Sequence, residues 1–240
     1  MRILITNDDS IRAEQLLPLI RWVRKLGEVT VVVPLVEQSG KSHGIEIHAP
    51  FAFQKVQLEE DLWGYAVEST PADCVRFAVL GLQEKYDLVI SGINRGYNIG
   101  TDAMYSGTVA AVTEAAILGI PAIAFSTSPG YYAHAVEDLD RVWDFICRQK
   151  LLDTHSIYNI NIPPAAGDIR ITRQGGPYYS DDFLLDENNL CHPKGKCVYE
   201  DLGDLNLDTD AVMHGCISIT PLTINMTDME IYHRLLPMNK

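Results

Sequence analysis

Short apolar runs rich in β-branched residues recur along the first two thirds of the 240-residue chain, and segments with helical spacing separate them. The runs predict buried strands at Ile3–Thr6, Val29–Val33, Leu88–Ser91, Ala122–Phe125 and Ile157–Ile162. Strands that alternate with helices form parallel sheets with helices on both faces. The pattern therefore predicts an α/β fold built on a mostly parallel, doubly wound sheet.

Capping and turn residues mark the ends of the helices between these strands. The first helix carries apolar residues at helical spacing from Leu16 and is stopped by Gly27. The second is predicted to start at Thr70-Pro71, where Thr is a favoured N-cap and Pro suits the first helical position. A third helix is predicted over Thr108–Leu118, and a fourth over Arg141–Lys150.

Two regions depart from this alternation. Residues 44–67 break into shorter alternating pieces, which predict an antiparallel excursion. Beyond residue 164 the chain is more polar. Its acidic residues, including Asp208 and Asp210, are most simply interpreted as a solvated face. Cys216–Pro221 again has the pattern of a strand. We therefore expect a catalytic core at residues 1–164. Residues 165–240 are expected to form a C-terminal extension that completes the core and serves in oligomerisation.

Composition narrows the class of partner. The chain is 47% hydrophobic and carries a net charge of -13, without the clustered Lys and Arg that nucleic-acid polymers require. No apolar stretch reaches the ~20 residues that span a bilayer. Five scattered cysteines are typical of free thiols in a reducing compartment, so we expect a cytoplasmic protein. A phosphate-bearing substrate would need a local cation, because the average field repels it.

Oxygen-bearing side chains follow three of the predicted strands. Asp8-Asp9 follows the first, Ser39-Gly40 the second, and Asn94 the third. Ligands of open α/β sheets bind beyond the carboxyl ends of the strands, so these loops are expected at one edge. Carboxylate, hydroxyl and amide oxygens suit Mg²⁺, Mn²⁺ or Ca²⁺ rather than zinc. The alternative for Asp8-Asp9 is a cap on the following helix.

A long loop rich in glycine, residues 92–108, leads into the third helix. Glycines allow backbone N–H groups to approach an anion closely at a helix start. No Glu or Gln lies three residues after Ser106, Gly107 or Thr108, so no capping box would occupy this start. An open helix N-terminus with two hydroxyls suits phosphate, whereas a simple Ser/Gly helix start is the alternative. The loop matches neither a Walker loop nor a dinucleotide fingerprint.

Six segments, taken together and in order, resemble the SurE family of 5′/3′-nucleotidases over about residues 1–225. They are Ile3–Asp9, Gln38–Gly40, Ser69–Val75, Asp87–Asn94, Tyr105–Ala111 and Gly215–Leu222. The resemblance implies a Rossmann-like core and a C-terminal extension used in homodimers or homotetramers. It also implies Mg²⁺- or Mn²⁺-dependent hydrolysis of nucleoside 5′- and 3′-monophosphates, an acid-phosphatase-like phosphoric monoester hydrolase.

The resemblance assigns roles to named positions. The metal ligands of the family fall on Asp8, Asp9, Ser39 and Asn94, and the two aspartates are the candidate catalytic residues. The phosphate-facing loop falls on Ser106, Gly107 and Thr108, with Asn98 nearby.

The chain departs from the family at the mouth of this site. Ser10 stands where the family usually has Gly, and Gly to Ser strains a turn that needs positive φ. Val36-Glu37-Gln38 replaces an Arg-rich stretch, which removes positive charge. Because of these departures, a binding module that senses nucleotides without hydrolysing them is one alternative function. A Rossmann-like transferase with a nucleotide cofactor is the other alternative, and the absence of a dinucleotide fingerprint argues against it.

Overall fold

Six parallel strands form the centre of a nine-stranded sheet in the computed structural model, which describes residues 1–239. The strands are β1 (Arg2–Thr6), β2 (Glu28–Pro34), β3 (Phe53–Glu59), β4 (Leu62–Val67), β5 (Leu88–Arg95), β6 (Ala122–Thr127), β7 (Ile157–Ile162), β8 (Ile169–Ile171), β9 (Tyr179–Leu185), β10 (Cys191–Cys197) and β11 (Ile217–Pro221). The sheet order is β3-β4-β2-β1-β5-β6-β7-β11-β8, and β9 and β10 form a separate antiparallel hairpin. The predicted α/β class is confirmed.

Helices cover both faces of the sheet. They are α1 (Leu16–Val23), α2 (Pro71–Arg76), α3 (Gly107–Ile117), α4 (Tyr132–Arg148), α5 (Leu151–Thr154), α6 (Asp208–Met213) and α7 (Met229–Leu235). One apolar cluster packs α1 and α4 against Ile3 and Ile5 of β1, and a second packs α2 and α3 against Leu4 between them. Alternate residues of one strand thus enter opposite cores, as a buried parallel strand requires. In residues 1–239 no helix is long and apolar enough to cross a bilayer.

The direction in which successive strands are added to the sheet reverses between β1 and β5, although these two strands run parallel. From β1 the chain adds β2 and then β4 on one side, and after α2 it crosses back to place β5 on the other side of β1. This is a topological switch point, where two loops leave the sheet in opposite directions and open a crevice. Asp8 and Asp9 follow β1 at this point, and Asn94 lies near the end of the neighbouring β5.

Several predicted elements differ in extent. The fourth helix begins at Tyr132 rather than Arg141, and its buried residues recur every three or four positions among many acidic ones. The antiparallel excursion is the β3–β4 pair, although β4 itself runs parallel to β2. β5 continues past its apolar run to Arg95, because Gly92 lies close against β6: a Cβ there would meet the Phe125 carbonyl at 2.3 Å.

The last third of the chain joins the same sheet. β11 pairs antiparallel with β7, and β8 pairs parallel with β11 at the sheet edge. The hairpin of β9 and β10 has exposed side chains along nearly its whole length, and α7 buries none of its residues. The division into a core at residues 1–164 and an extension at 165–240 stays a prediction.

The acidic residues of α6 are not a solvated face. Asp208 is 1% exposed and Asp210 is fully buried. Asp208 accepts backbone hydrogen bonds from Gly100 at 3.1 Å and Gly175 at 2.8 Å, while Asp210 accepts from Leu202 and Asp204. Polarity misled the sequence interpretation here, because a carboxylate can be buried when backbone N–H groups satisfy it. Asp208 thereby fastens the C-terminal part to the loop that precedes α3.

Replacing Asp208 with Ala is expected to lower the free energy of unfolding by about 2–4 kcal/mol, since two buried N–H groups lose their acceptor. Guanidinium denaturation followed by circular dichroism measures the change. Asp181→Ala is the matched control, because Asp181 is exposed on the hairpin and accepts no such bonds. Equal effects of the two substitutions would contradict the role given to Asp208.

Candidate metal and phosphate site

Two adjacent carboxylates lie at the end of β1, in very different surroundings. Asp8 is 3% exposed, and its Oδ1 accepts a hydrogen bond of 2.5 Å from the Thr108 hydroxyl. Asp9 is partly exposed; its Oδ2 accepts from the Gln15 amide at 2.5 Å and from the Arg95 backbone N–H at 2.9 Å. Neutral donors therefore surround both groups, and neither is neutralised by a bonded cation in residues 1–239.

The helix-cap alternative for this pair is wrong. Gln15 occupies the N-cap of α1, and its side chain makes no capping bond. Asp8 instead faces the N-terminus of α3, on the far side of the switch point. Gly107 permits this approach, because a Cβ at that position would come within 3.0 Å of the Asp8 Cβ. The close packing of a helix start on the strand end depends on glycine at 107.

Burial raises the pKa of both carboxyl groups. For Asp8, burial outweighs the Thr108 hydrogen bonds that stabilise the ionised form, so the pKa lies above the usual 3.8. For Asp9, burial and the neighbouring charge of Asp8 raise the pKa to about 6. Two crowded carboxylates with raised pKa values are costly to ionise, and a bound cation would relieve that cost. This electrostatic environment fits a divalent cation.

The segments that carry Ser39 and Asn94 both bond to the aspartate pair. The backbone N–H of Gln38, next to Ser39, donates to the Asp8 carbonyl at 2.8 Å. Arg95, next to Asn94, donates to Asp9 as described above. The Asn94 amide nitrogen is engaged by the Gly96 carbonyl at 2.8 Å, which orients its nitrogen end and leaves the carbonyl end for a cation. The structure thus brings the segments that carry the four candidate ligands to one place, and their joint role in binding a metal stays a prediction.

Several contacts hold the loop that follows Ser39 against α3 and the segment before it. Ser42 donates its backbone N–H to Tyr105 and its hydroxyl to Met104, immediately before the α3 start. His43 contacts the buried Glu114 of α3 at 2.8 Å. Ser39 itself is exposed, and its hydroxyl donates to Glu37 at 2.7 Å. The loop is therefore positioned by its neighbours, while the Ser39 hydroxyl is held only by another exposed side chain.

The start of α3 is capped, contrary to the open terminus expected from the sequence. The Ser106 side chain accepts a hydrogen bond of 3.1 Å from the Val109 N–H, so Ser106 is a simple N-cap without a capping box. Thr108 is committed to Asp8. The Thr108 backbone N–H also stabilises the Asp8 carboxylate, so the Gly107 N–H, with the helix dipole behind it, is what remains for an anion.

Asn98 lies in a buried network with polar side chains of β6 and β7. Its side-chain nitrogen donates to Ser126 at 2.9 Å, and its backbone is bonded by Asn159 and Asn161. It is 7% exposed. These contacts fix the loop that leads to α3, and a direct part of Asn98 in phosphate binding stays a prediction.

Comparison with known proteins reveals the relationship of the chain. The family model described as survival protein SurE matches residues 3–181. The chain belongs to the SurE family. Proteins named 5′-nucleotidase SurE from Thermosipho melanesiensis and Thermoanaerobacter sp. are 38% and 37% identical, each over 98% of this chain and at least 96% of its own length. The crystal structure of SurE from Aquifex aeolicus superposes with a TM-score of 0.78 at 29% identity over the whole of both chains.

Beside its candidate ligands, this SurE chain has an ion pair that sequence reasoning did not find. Glu37 pairs with Arg95 at 3.1 Å and also accepts the Ser39 hydroxyl. Both line a cavity of about 380 Å³ next to Asp9, together with Arg12, Gln15 and Tyr132. The sequence marked Glu37 only as lost positive charge, because nothing in the pattern pairs residues 37 and 95.

Ser10 adopts the conformation that the family's glycine favours. Its φ is +83°, and its backbone is held on both sides by the Asn7 side chain at 3.0–3.1 Å. A side chain with positive φ costs about 1 kcal/mol relative to glycine. The strained turn directly follows Asp9, so the strain is stored at the candidate site.

Ser10→Gly is therefore expected to raise the free energy of unfolding by about 1 kcal/mol. Chemical denaturation measures the difference. The control is Ser156→Gly, an exposed serine without positive φ, where glycine only adds freedom to the unfolded chain and is expected to destabilise. A loss of stability in both variants would show that the turn is not strained.

Proposed function

We propose that the chain is a nucleotidase that hydrolyses nucleoside 5′- and 3′-monophosphates to nucleoside and phosphate, with Mg²⁺ or Mn²⁺ held by Asp8, Asp9, Ser39 and Asn94. The observation that carries this proposal is the carboxylate pair at the switch point, in which the buried Asp8 faces the α3 N-terminus and the partly exposed Asp9 lies beside it. A cation and an anion are both favoured there, side by side. The names of the relatives support nucleotides as the source of the anion.

The donor set agrees with a hard divalent cation. Two carboxylates, a hydroxyl and an amide carbonyl are all oxygen donors, which Mg²⁺ and Mn²⁺ prefer. Within residues 1–239 no three His, Cys, Asp or Glu side chains gather as a metal site, so the neutral oxygens of Ser39 and Asn94 are needed to complete this one. When bound, the cation supplies charge stabilisation to the phosphoryl group and lowers the pKa of a water molecule.

Backbone and side-chain groups of the protein have the remaining roles in the proposed reaction. The backbone N–H of Gly107 at the start of α3 binds a phosphoryl oxygen and stabilises its charge as the bond to the nucleoside breaks, whereas the Thr108 N–H already serves Asp8. Asp8 is committed to Thr108, whereas Asp9 is partly exposed at the cavity. We therefore assign acceptance of the proton from the attacking water to Asp9. Arg95 lies beside Asp9 and offers positive charge to the substrate in a chain whose net charge is -13.

The central test is metal-dependent release of phosphate from a panel of nucleoside 5′- and 3′-monophosphates. Activity is expected with Mg²⁺ or Mn²⁺, to be abolished by chelator, and to fall at least 100-fold in Asp9→Asn, which keeps the shape but loses the charge. Asp181→Asn is the control on the exposed hairpin. The panel also settles whether 3′-monophosphates and general acid-phosphatase substrates are accepted.

Thermal unfolding separates this proposal from a binding module. A divalent cation is expected to raise the Tm of the wild type, and to do so less in Asp9→Asn. A metal-induced Tm shift without any phosphate release would favour the nucleotide-sensing alternative. Full activity in chelator would overturn the metal assignment itself.

We also propose that the chain forms a homodimer or homotetramer through its C-terminal segment. All seven residues of α7 are at least partly exposed, and apolar side chains lie along it at Met229, Ile231, Tyr232 and Leu235, each 41–50% exposed. An apolar helix without a partner in its own chain is typical of an interface. The five cysteines are free thiols, which supports the cytoplasm as the proposed location.

Replacing Ile231 and Leu235 together by Asp is expected to convert the oligomer to a monomer, because charge replaces apolar contact area. Sedimentation velocity measures the change in mass. Arg234→Gln on the same helix is the polar control and is expected to keep the assembly. A wild-type protein that sediments as a monomer would contradict this proposal without touching the catalytic one.

A further inference from the structure

A second cavity, of about 400 Å³, lies between α4 and the edge strand β8. It is lined by Arg141, Phe145, Arg148, Asp168, Ile169 and Arg170. Three of the chain's 19 basic residues therefore meet in one cavity of a protein whose net charge is -13. Such a local excess of positive charge is unusual for this surface and attracts anions.

Two of the three guanidinium groups have no acidic partner. Arg141 is engaged, because it donates to the carbonyls of Ala166 and Gly167 and pairs with Asp138 at 2.8 Å. Arg148 makes only a weak bond of 3.3 Å to the Asp144 carbonyl. Within residues 1–239 neither Arg148 nor Arg170 has a carboxylate within 4.0 Å, although Asp168 lines the same cavity.

Arg170 carries a buried donor that is not satisfied. Its Nε atom is buried and has no hydrogen-bond partner in residues 1–239. A buried charged donor without an acceptor is costly, so such a group points to a ligand or solvent that completes it. β8 is a three-residue strand at the edge of the sheet, and this position leads the Arg170 side chain towards the cavity.

We propose that this cavity binds a small phosphate-bearing anion through Arg148 and Arg170. Guanidinium groups present several donors in a plane and match phosphate oxygens in pairs, which a single ammonium group does not. Phe145 and Ile169 give the cavity an apolar wall for the part of the ligand that bears the phosphate.

The site is separate from the candidate metal site. Tyr132 at the start of α4 lines the cavity beside Asp9, whereas Arg148 is the last residue of the same helix. Sixteen residues at the rise of an α-helix place these two ends about 24 Å apart. The inference does not rest on the proposed nucleotidase activity and survives its failure.

Isothermal titration with inorganic pyrophosphate, in chelator and at low salt, tests the inference. Wild-type protein is expected to bind, Arg148→Gln to bind about tenfold more weakly, and Arg148→Gln/Arg170→Gln to lose one binding site per chain. Arg170→Lys keeps the charge but loses the planar donors, and it is expected to be weakened as well.

Lys85→Gln is the matched control, because Lys85 is exposed, makes no ion pair within residues 1–239 and carries the same charge. Its binding is expected to equal that of wild type. Thermal melts establish that each variant is folded. The Arg148→Gln substitution disturbs packing least, because Arg148 is exposed. An unchanged number of sites in the double variant, or an equal loss in Lys85→Gln, would overturn the proposal.

Discussion

The contact between Asp8 and the start of α3 organises the functional end of this molecule. A helix N-terminus is pressed against the end of β1, with the Thr108 hydroxyl on the carboxylate and no room for a side chain at Gly107. The helix dipole stabilises the negative charge of Asp8, but burial still raises its pKa. The same helix N-terminus also favours the binding of an anion. Attraction of a cation and of an anion therefore arises from one piece of packing.

The surrounding loops are held by backbone N–H groups donated to buried or half-buried carboxylates. Asp208 holds Gly100 and Gly175, Asp73 holds the backbone of Glu46, and Asp9 holds Arg95. Each bond ties a loop to a different part of the chain, across 27 to 108 residues of sequence. Loops without regular structure thus keep a defined shape, which a site built on several of them needs.

The sequence predicted what depends on local pattern. Continuous apolar runs identified the central strands because those strands are buried on both faces, and the capping residues placed the α2 start at Thr70 within one residue. The start of α4 was missed although Tyr132, Ala135 and Leu139 follow helical spacing, because acidic residues between them obscured the pattern. The β9–β10 hairpin gives no pattern at all, since neither of its faces packs on a core.

Within the site, the sequence named the four candidate ligands but not the polar contacts around them. The Thr108–Asp8 hydrogen bond and the Glu37–Arg95 pair join residues that are distant in sequence. The Ser106 cap depends on the direction of its side chain. Hydrophobic periodicity predicts neither kind of contact. Side-chain direction also decides the environment of Trp63, an aromatic residue of β4 that is 48% exposed. Apolar neighbours in sequence indicate a strand, but only the sheet decides which face is covered.

The proposed binding of phosphate by a strongly acidic chain depends on the local distribution of charge. The net charge of -13 describes the average surface, yet a ligand meets the local field of one cavity. Beside Asp9 that field contains three carboxylates, those of Asp9, Glu14 and Glu37, and only Arg12 and Arg95 oppose them in the lining. In the proposed function, capture of phosphate there depends on a cation in addition to the protein. Between α4 and β8 the balance is reversed, because guanidinium groups outnumber the single carboxylate of Asp168 in the lining. The two proposed phosphate sites therefore differ in kind: the first depends on a cation, whereas the second has guanidinium donors already in its lining.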